Sequence, residues 1–204
     1  MTATHRPPTV VHVGPRACLV EVGDAVAAAA LASWVRAQEL VVGEVVPAAR
    51  SVLLDGVDPV GVERLLAGWS GDLDVLQGPL VRIPVTYAGP DLDRVAEHWG
   101  CTRAEVVDLH TSVELTATFT GFAPGFAYLA GMPADRAVPR LESPRPRVEP
   151  GSVALADTWC GIYPSASPGG WLIVGRTDVE LWDVRRDPPA LLSPGTRVRF
   201  EVAG

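Results

Sequence analysis

Apolar and polar positions switch repeatedly between strand and helix periods along the chain. "CLVEV" (Cys18–Val22) alternates in the manner of a strand. The next segment carries Leu31, Trp34 and Val35 on one helical face, with Asp24 as the expected N-cap. "VVGEVVP" (Val41–Pro47) and "SVLLDG" (Ser51–Gly56) return to strand patterning across a short turn. Asp58-Pro59 then opens a second helix with the face Val62, Leu65, Leu66 and Trp69, and "LVRIPV" (Leu80–Val85) predicts a closing strand. The order is β-α-β-β-α-β, which predicts a ferredoxin-like unit over residues 1–88.

Two helices lead the second half, residues 89–204. "DLDRVAEHWG" sets Leu92, Val95, Ala96 and Trp99 on one face, with Asp91 as cap and Gly100 as stop. "TRAEVVDLH" starts with Thr102 and Glu105 in capping-box spacing. After Thr111 the apolar runs are short and separated by glycine and proline: "VELTATF", "SVALA", "WCGIY", "WLIVGRT", "VELWDV", "RVRFEV". That pattern predicts an all-β barrel or sandwich.

Composition narrows the function classes. Hydrophobic residues are 48% and charged residues 20% of the 204, enough for a real core. A formal charge of -7 argues against nucleic-acid or anionic-membrane partners, which need a basic footprint. The three cysteines, Cys18, Cys101 and Cys160, form no C-x-x-C and read as reduced thiols of a cytoplasmic protein. His5, His12, His98 and His110 share no metal-ligand spacing, so no metal site is expected. The first ten residues lack the apolar stretch of a signal peptide, and no apolar run is long enough to span a bilayer. A P-loop, a strand-linked G-x-G-x-x-G and a G-x-S-x-G elbow are all missing.

Four stretches are candidates for chemistry. "TGFAPGFAYLAGMP" (Thr120–Pro133) either plugs a core or walls a binding site, with Phe122, Pro124, Gly125 and Phe126 at its centre. "VPRLESPRPRVEPGS" (Val138–Ser152) holds Arg140, Arg145 and Arg147 among stiffening prolines, either as a carboxylate or phosphate site or as a solvated linker. "GIYPSASPGGW" (Gly161–Trp171) offers Tyr163, Ser167, Gly169, Gly170 and Trp171 to a ligand, or is a turn before a strand. "VGRT" ends an apolar strand on Arg176. His110 is the one group among these that titrates near neutral pH, a candidate acid or base or a surface residue at a helix end.

In order, "GFAPGFAYL", "PRPRVEPGSVALA", "GIYPSASPGGWLIVGRT" and "LLSPGTRVRFE" resemble the allophanate hydrolase subunit 1 family, also called the carboxyltransferase subdomain C family. "EVVPAARSVLL" and "DLDRVAEHWGCTRAEVVDLHT" extend the likeness over nearly the whole chain. The family includes the B component of the bacterial ATP-dependent 5-oxoprolinase and KipI, an inhibitor of a sporulation histidine kinase. The resemblance implies a ferredoxin-like domain followed by a cyclophilin-like β-barrel, α+β overall. It also implies a homologous second subunit and a further, unrelated one, with ATP as co-substrate of the complex.

The expected function is a non-autonomous subunit that opens a lactam, with Arg145, Arg147 and Arg176 on a carboxylate or phosphate. Gly125 and Tyr163 would line the pocket, and Phe122, Phe126 and Trp171 would keep water out. Set beside the other segments, the Gly-Phe stretch reads as one wall of a composite cleft, with Phe126 and Tyr128 buried. The alternatives are a kinase-binding regulator without chemistry and a biotin-dependent carboxyltransferase acting on urea. The last is disfavoured by the absence of a Met-Lys-Met carrier signature.

Overall fold

The structure is a computed structural model and describes residues 8–71 and 78–204. The chain divides into two compact units, Met1–Leu76 and Gln77–Gly204.

The first unit is a four-stranded antiparallel sheet in the order β1 (Thr9–His12), β2 (Ala17–Glu21), β4 (Ser51–Asp55), β3 (Glu44–Pro47). Helix α1 (Ala25–Arg36) begins where the Asp24 carboxylate accepts from the Ala27 N–H at 2.9 Å. Helix α2 (Pro59–Leu66) begins at Asp58, whose carboxylate accepts from Val60 and Gly61. Leu31, Val35, Val62, Leu66 and Trp69 are buried against Cys18, Val20, Val52 and Leu54 of the sheet. The helical and strand periods thus converge on one core, as the sequence pattern requires.

Leu80–Val85 departs from the expected β-α-β-β-α-β unit. This strand, β5, pairs in parallel with β13 (Arg197–Val202) of the second unit along its whole length. The expected boundary at 88/89 therefore gives way to one at 76/77. The place beside β2 in the first unit's sheet belongs to β1.

The second unit is a mixed α/β body around a nearly closed barrel. Seven strands run in the order β12 (Leu172–Arg176), β9 (Ser152–Ala156), β10 (Trp159–Ile162), β7 (Ala127–Ala130), β6 (Leu115–Thr120), β13, β5. A reciprocal backbone bridge between Thr86 and Arg176 joins the two ends, with N···O distances of 2.8 and 3.0 Å. Gly175 makes that closure possible: a Cβ there would lie 2.6 Å from Val85 Cγ1 and 2.8 Å from the Thr86 carbonyl oxygen. A separate two-stranded sheet pairs β8 (Arg145–Val148) with β11 (Ser167–Gly169).

Helices α3 (Leu92–Trp99) and α4 (Arg103–Ser112) precede β6. Gly100 ends α3 in the left-handed conformation, and Thr102 and Glu105 complete the expected capping box of α4. "VELWDV" is not a strand and makes only the Trp182–Ala190 bridge.

Strand alternation builds two apolar clusters from opposite faces of the same strands. Val153 and Leu155 of β9, Cys160 and Ile162 of β10, Leu172 and Val174 of β12, and Ala127 and Leu129 of β7 join one core with Phe200, Ile83 and Leu115. The intervening positions Ala154, Ala156, Ile173, Phe126 and Tyr128 join a second, aromatic cluster with Tyr163 and Trp171. This explains why all five residues of "SVALA" are buried: both faces of the strand are covered.

Candidate functional site: two clefts on the barrel

The expected composite cleft resolves into two. The first, about 410 Å³, is an aromatic cleft lined by Phe122, Phe126, Tyr128, Trp159, Tyr163 and Trp171, with Arg140, Asp157, Gly169 and Gly170. Its rings meet edge to face: Phe126 and Trp171 lie 5.6 Å apart at 77°, and Phe122 and Tyr163 5.9 Å apart at 89°. Such geometry sets the positive ring edge against the negative ring face. Two glycines make room for the rings. A Cβ on Gly161 would sit 2.8 Å from the Phe126 ring, and one on Gly169 would sit 2.4 Å from the Tyr163 hydroxyl.

Phe122 is 59% exposed and adopts φ +67°, while Asp157 adopts φ +52°. They are the two non-glycine residues with positive φ among the described residues, and both line this cleft. A left-handed conformation costs about 1–2 kcal/mol per L-residue, so it persists only where surrounding contacts impose it. For Asp157 the imposing contact is a two-way backbone bridge to Val138, with N···O distances of 2.6 and 3.0 Å.

The second cleft, about 640 Å³, is a groove lined by Arg145, Arg147 and Arg176, with Ser152, Gly89, Gly175 and Ile173. Arg145 is the best held of the three. Its Nη2 donates to the Asp91 carboxylate at 2.7 Å, and the other oxygen of Asp91 accepts from the Ile173 N–H at 2.7 Å. Asp91 is 5% exposed. Its carboxylate makes no N-cap hydrogen bond and braces the arginine instead. Arg147 pairs with Glu149 at 2.7 Å, and Arg176 lies 3.6 Å from Asp178. Each guanidinium of the groove therefore has a carboxylate neighbour. The buried Nη1 of Arg145 is the polar side-chain atom of the groove left without a partner among the described residues.

Several expected residues lie elsewhere. His110 is fully buried and stacks on Phe200 at 4.4 Å, with Nδ1 2.7 Å from the Tyr87 hydroxyl and Nε2 3.4 Å from Cys160 Sγ. Burial lowers its pKa to about 4. It is a neutral core residue at neutral pH and lines neither cleft, so the acid–base role expected of it is set aside. Gly125 is buried against Leu181 and Trp182, so it does not offer its backbone to the arginine groove. Pro124 lines a third depression, with Trp182 and Thr177. Ser167 stands on β11 with its hydroxyl buried and unpartnered.

Phe126 is buried as expected, whereas Tyr128 is only partly so. Tyr163 is 3% exposed, and its pKa is raised chiefly by burial, so its hydroxyl stays protonated at neutral pH. Among the described residues no group of three or more His, Cys, Asp or Glu could hold a metal ion, and His5 lies outside them. No described helix is long and apolar enough to cross a membrane.

Sequence reasoning missed Asp91 as a brace, because an acid before a helix reads as a cap. It also left Asp157 and Trp159 unremarked, since neither lies in a glycine- or arginine-rich run.

A family model described as "Carboxyltransferase domain, subdomain C and D" matches residues 8–192. The chain belongs to this carboxyltransferase-domain family. Among curated members it is 44% identical over 144 residues to the 5-oxoprolinase B component of Escherichia coli O157:H7, covering 68% of this chain and 66% of that one. It is 42% identical over 142 residues to the 5-oxoprolinase B component of Bacillus subtilis (strain 168), covering 68% and 59%. The match thus spans somewhat less than two thirds of these relatives.

The crystal structure of TTHA0988 is similar at a TM-score of 0.75 and 37% identity, covering 93% of this chain and 40% of that one. The Kluyveromyces lactis urea amidolyase shares the fold at a TM-score of 0.71 and 18% identity, covering 96% of this chain and 15% of that one. In both of these structures the similar region is a segment of a longer chain.

Proposed function

We propose that this chain is a subunit of an ATP-dependent complex that opens 5-oxoproline to glutamate, and that it acts only with partner subunits. The identity of 42–44% to proteins named as the B component of 5-oxoprolinase carries this reading. The partners would be a homologous second subunit and a third, unrelated one. Under the same reading the first unit is a ferredoxin-like module whose fourth strand place is taken by β1.

The need for partners has a chemical basis. Neither cleft combines a nucleophile, a base that titrates near neutral pH and an anion hole. His110 is removed from both by burial, and Tyr163 keeps its proton. What the chain offers is positioning.

Phosphate fits the arginine groove in one respect. Arg145 lines the groove and is held in place by Asp91, so an anion oxygen would meet a guanidinium that is already ordered. ATP, when bound by the complex, supplies the phosphoryl group that makes the amide carbonyl reactive. Arg145 would hold a phosphate or carboxylate oxygen, while Arg147 and Arg176 would exchange their surface carboxylates for it.

The test is reconstitution with the partner subunits, measuring ATP-dependent glutamate release from 5-oxoproline. Turnover is expected in the complex and not in the chain alone. Arg145→Lys keeps a charge for Asp91 and is expected to lower turnover at least tenfold, because a lysine lacks the planar fork. A folded complex without turnover overturns the function. Full turnover in Arg145→Lys overturns the groove assignment.

A further inference from the structure

We propose that the aromatic cleft is a separate subsite for a small cyclic amide acid, with Arg140 binding its carboxylate and Asp157 its amide N–H. The identification of that ligand with 5-oxoproline rests on the function proposed above; the chemistry of the subsite does not.

Charge pairing separates the two clefts. All three arginines of the groove sit beside carboxylates: Asp91, Glu149 and Asp178. Arg140, also exposed, has no ion pair or side-chain hydrogen bond among the described residues. Asp157 likewise has neither, and its side chain is exposed on the same cleft. A free guanidinium and a free carboxylate thus face one aromatic cavity without neutralising each other.

The backbone holds both groups in place. Asp157 is bridged to Val138, and Arg140 follows Val138 by two residues. The loop is tied down again just beyond, where Leu141 N–H donates to the Gly170 carbonyl at 2.8 Å. Arg140 therefore stands between two backbone anchors, and the side chain loses less freedom on binding than one on a free loop. The positive φ of Asp157 and Phe122 adds a second sign of a built site.

These features limit the ligand. The aromatic walls favour a compact ring whose methylene edges can lie on ring faces. Arg140 selects one carboxylate, which it can grip with two parallel N–H donors. Asp157 repels a doubly charged phosphate and accepts from an N–H. A free amine would bring a positive charge toward Arg140. A ring carrying one carboxylate and one neutral amide N–H satisfies all of these at once.

The experiment uses the full chain and its tryptophan emission, to which Trp159 and Trp171 contribute from the cleft among six tryptophans, titrated with 5-oxoproline. Saturable change is expected in the wild type. Arg140→Ala and Asp157→Asn are each expected to weaken binding at least tenfold, with urea midpoints unchanged because both side chains are exposed. With 2-pyrrolidinone, the same ring without a carboxylate, Arg140→Ala is expected to have no effect. No saturable change in the wild type, or equal 5-oxoproline affinity in wild type and both variants, overturns the subsite.

KM in the reconstituted complex separates this proposal from the function. Turnover with a KM unmoved by Arg140→Ala leaves the function standing and overturns the subsite. Arg140-dependent binding with no turnover in the complex does the reverse.

Discussion

Asp91 braces Arg145 and the start of β12 at once: one carboxylate oxygen accepts from Arg145 Nη2 and the other from the Ile173 N–H, both at 2.7 Å. At 5% exposure the carboxylate cannot turn to water instead. Asp91→Ala strands the buried Ile173 N–H and a half-buried guanidinium together. A loss of about 2–4 kcal/mol is expected, between the cost of an unsatisfied buried group and that of a broken buried pair. Asp91→Asn keeps the bond to Ile173 and should lose less. Urea denaturation of the two variants checks this, and equal midpoints for wild type and Asp91→Ala would show that the brace is not structural.

His110 makes stability depend on pH. Its folded pKa of about 4 lies below the unfolded value near 6.5, because burial disfavours the charged ring. The unfolded chain therefore binds the extra proton between those values. The contribution is fully present above about pH 6.5 and is lost as pH falls through about 4, amounting to roughly 3 kcal/mol. Tyr87, Cys160 and Phe200 are the groups seen against the ring, and none brings a charge at neutral pH. His110→Gln is expected to flatten the stability profile over this range, measured as denaturation midpoints at successive pH values.

Gly161 should tolerate no side chain. The Cβ of an alanine would lie 2.8 Å from the Phe126 ring and 3.0 Å from the Trp171 ring, both part of the packed aromatic cluster. Gly161→Ala is expected to cost about 1–3 kcal/mol through overpacking. It should also change the tryptophan emission, which reports displacement of Trp171.

Phe122 offers the opposite case. Glycine relieves its φ of +67°, while the ring it removes is 59% exposed. Phe122→Gly is expected to change stability by less than about 1 kcal/mol, since relief of the left-handed conformation offsets lost edge contacts with Phe126 and Tyr163. Ligand affinity of the aromatic cleft should fall several-fold because one wall is gone. A large loss of stability would mean that the ring seals the core.

Much of the architecture was legible from periodicity. The caps at Asp24, Asp58 and Thr102 all form as expected, because a cap depends on residues within one turn. The strands "SVALA" and "RVRFEV" were equally plain. "VELWDV" has the right alternation but finds no partner strand beyond one bridge. Strand β7 lay hidden in the Gly-Phe stretch, where turn residues on either side masked a run of four.

Local pattern determined the helices α1 to α4, strands such as Ser51–Asp55, Ser152–Ala156 and Arg197–Val202, and their apolar faces, since those follow from the 3.6- and 2-residue periods. It did not decide which sheet takes Leu80–Val85. That depends on parallel pairing with a strand more than a hundred residues later. Nor did it decide that His110 is core, which follows from its stacking on Phe200. Above all, sequence shows four arginines near the candidate site but not which is free. Glu149 and Asp178 stand two residues from Arg147 and Arg176 in the chain, but Asp91 is 54 residues from Arg145, and only folding brings that pair together. Arg140 is left unpaired by the same process. Electrostatic pairing acts over a few ångströms in space, so chain distance reveals the neighbouring pairs at Arg147 and Arg176 but neither the Asp91–Arg145 brace nor the unpaired state of Arg140.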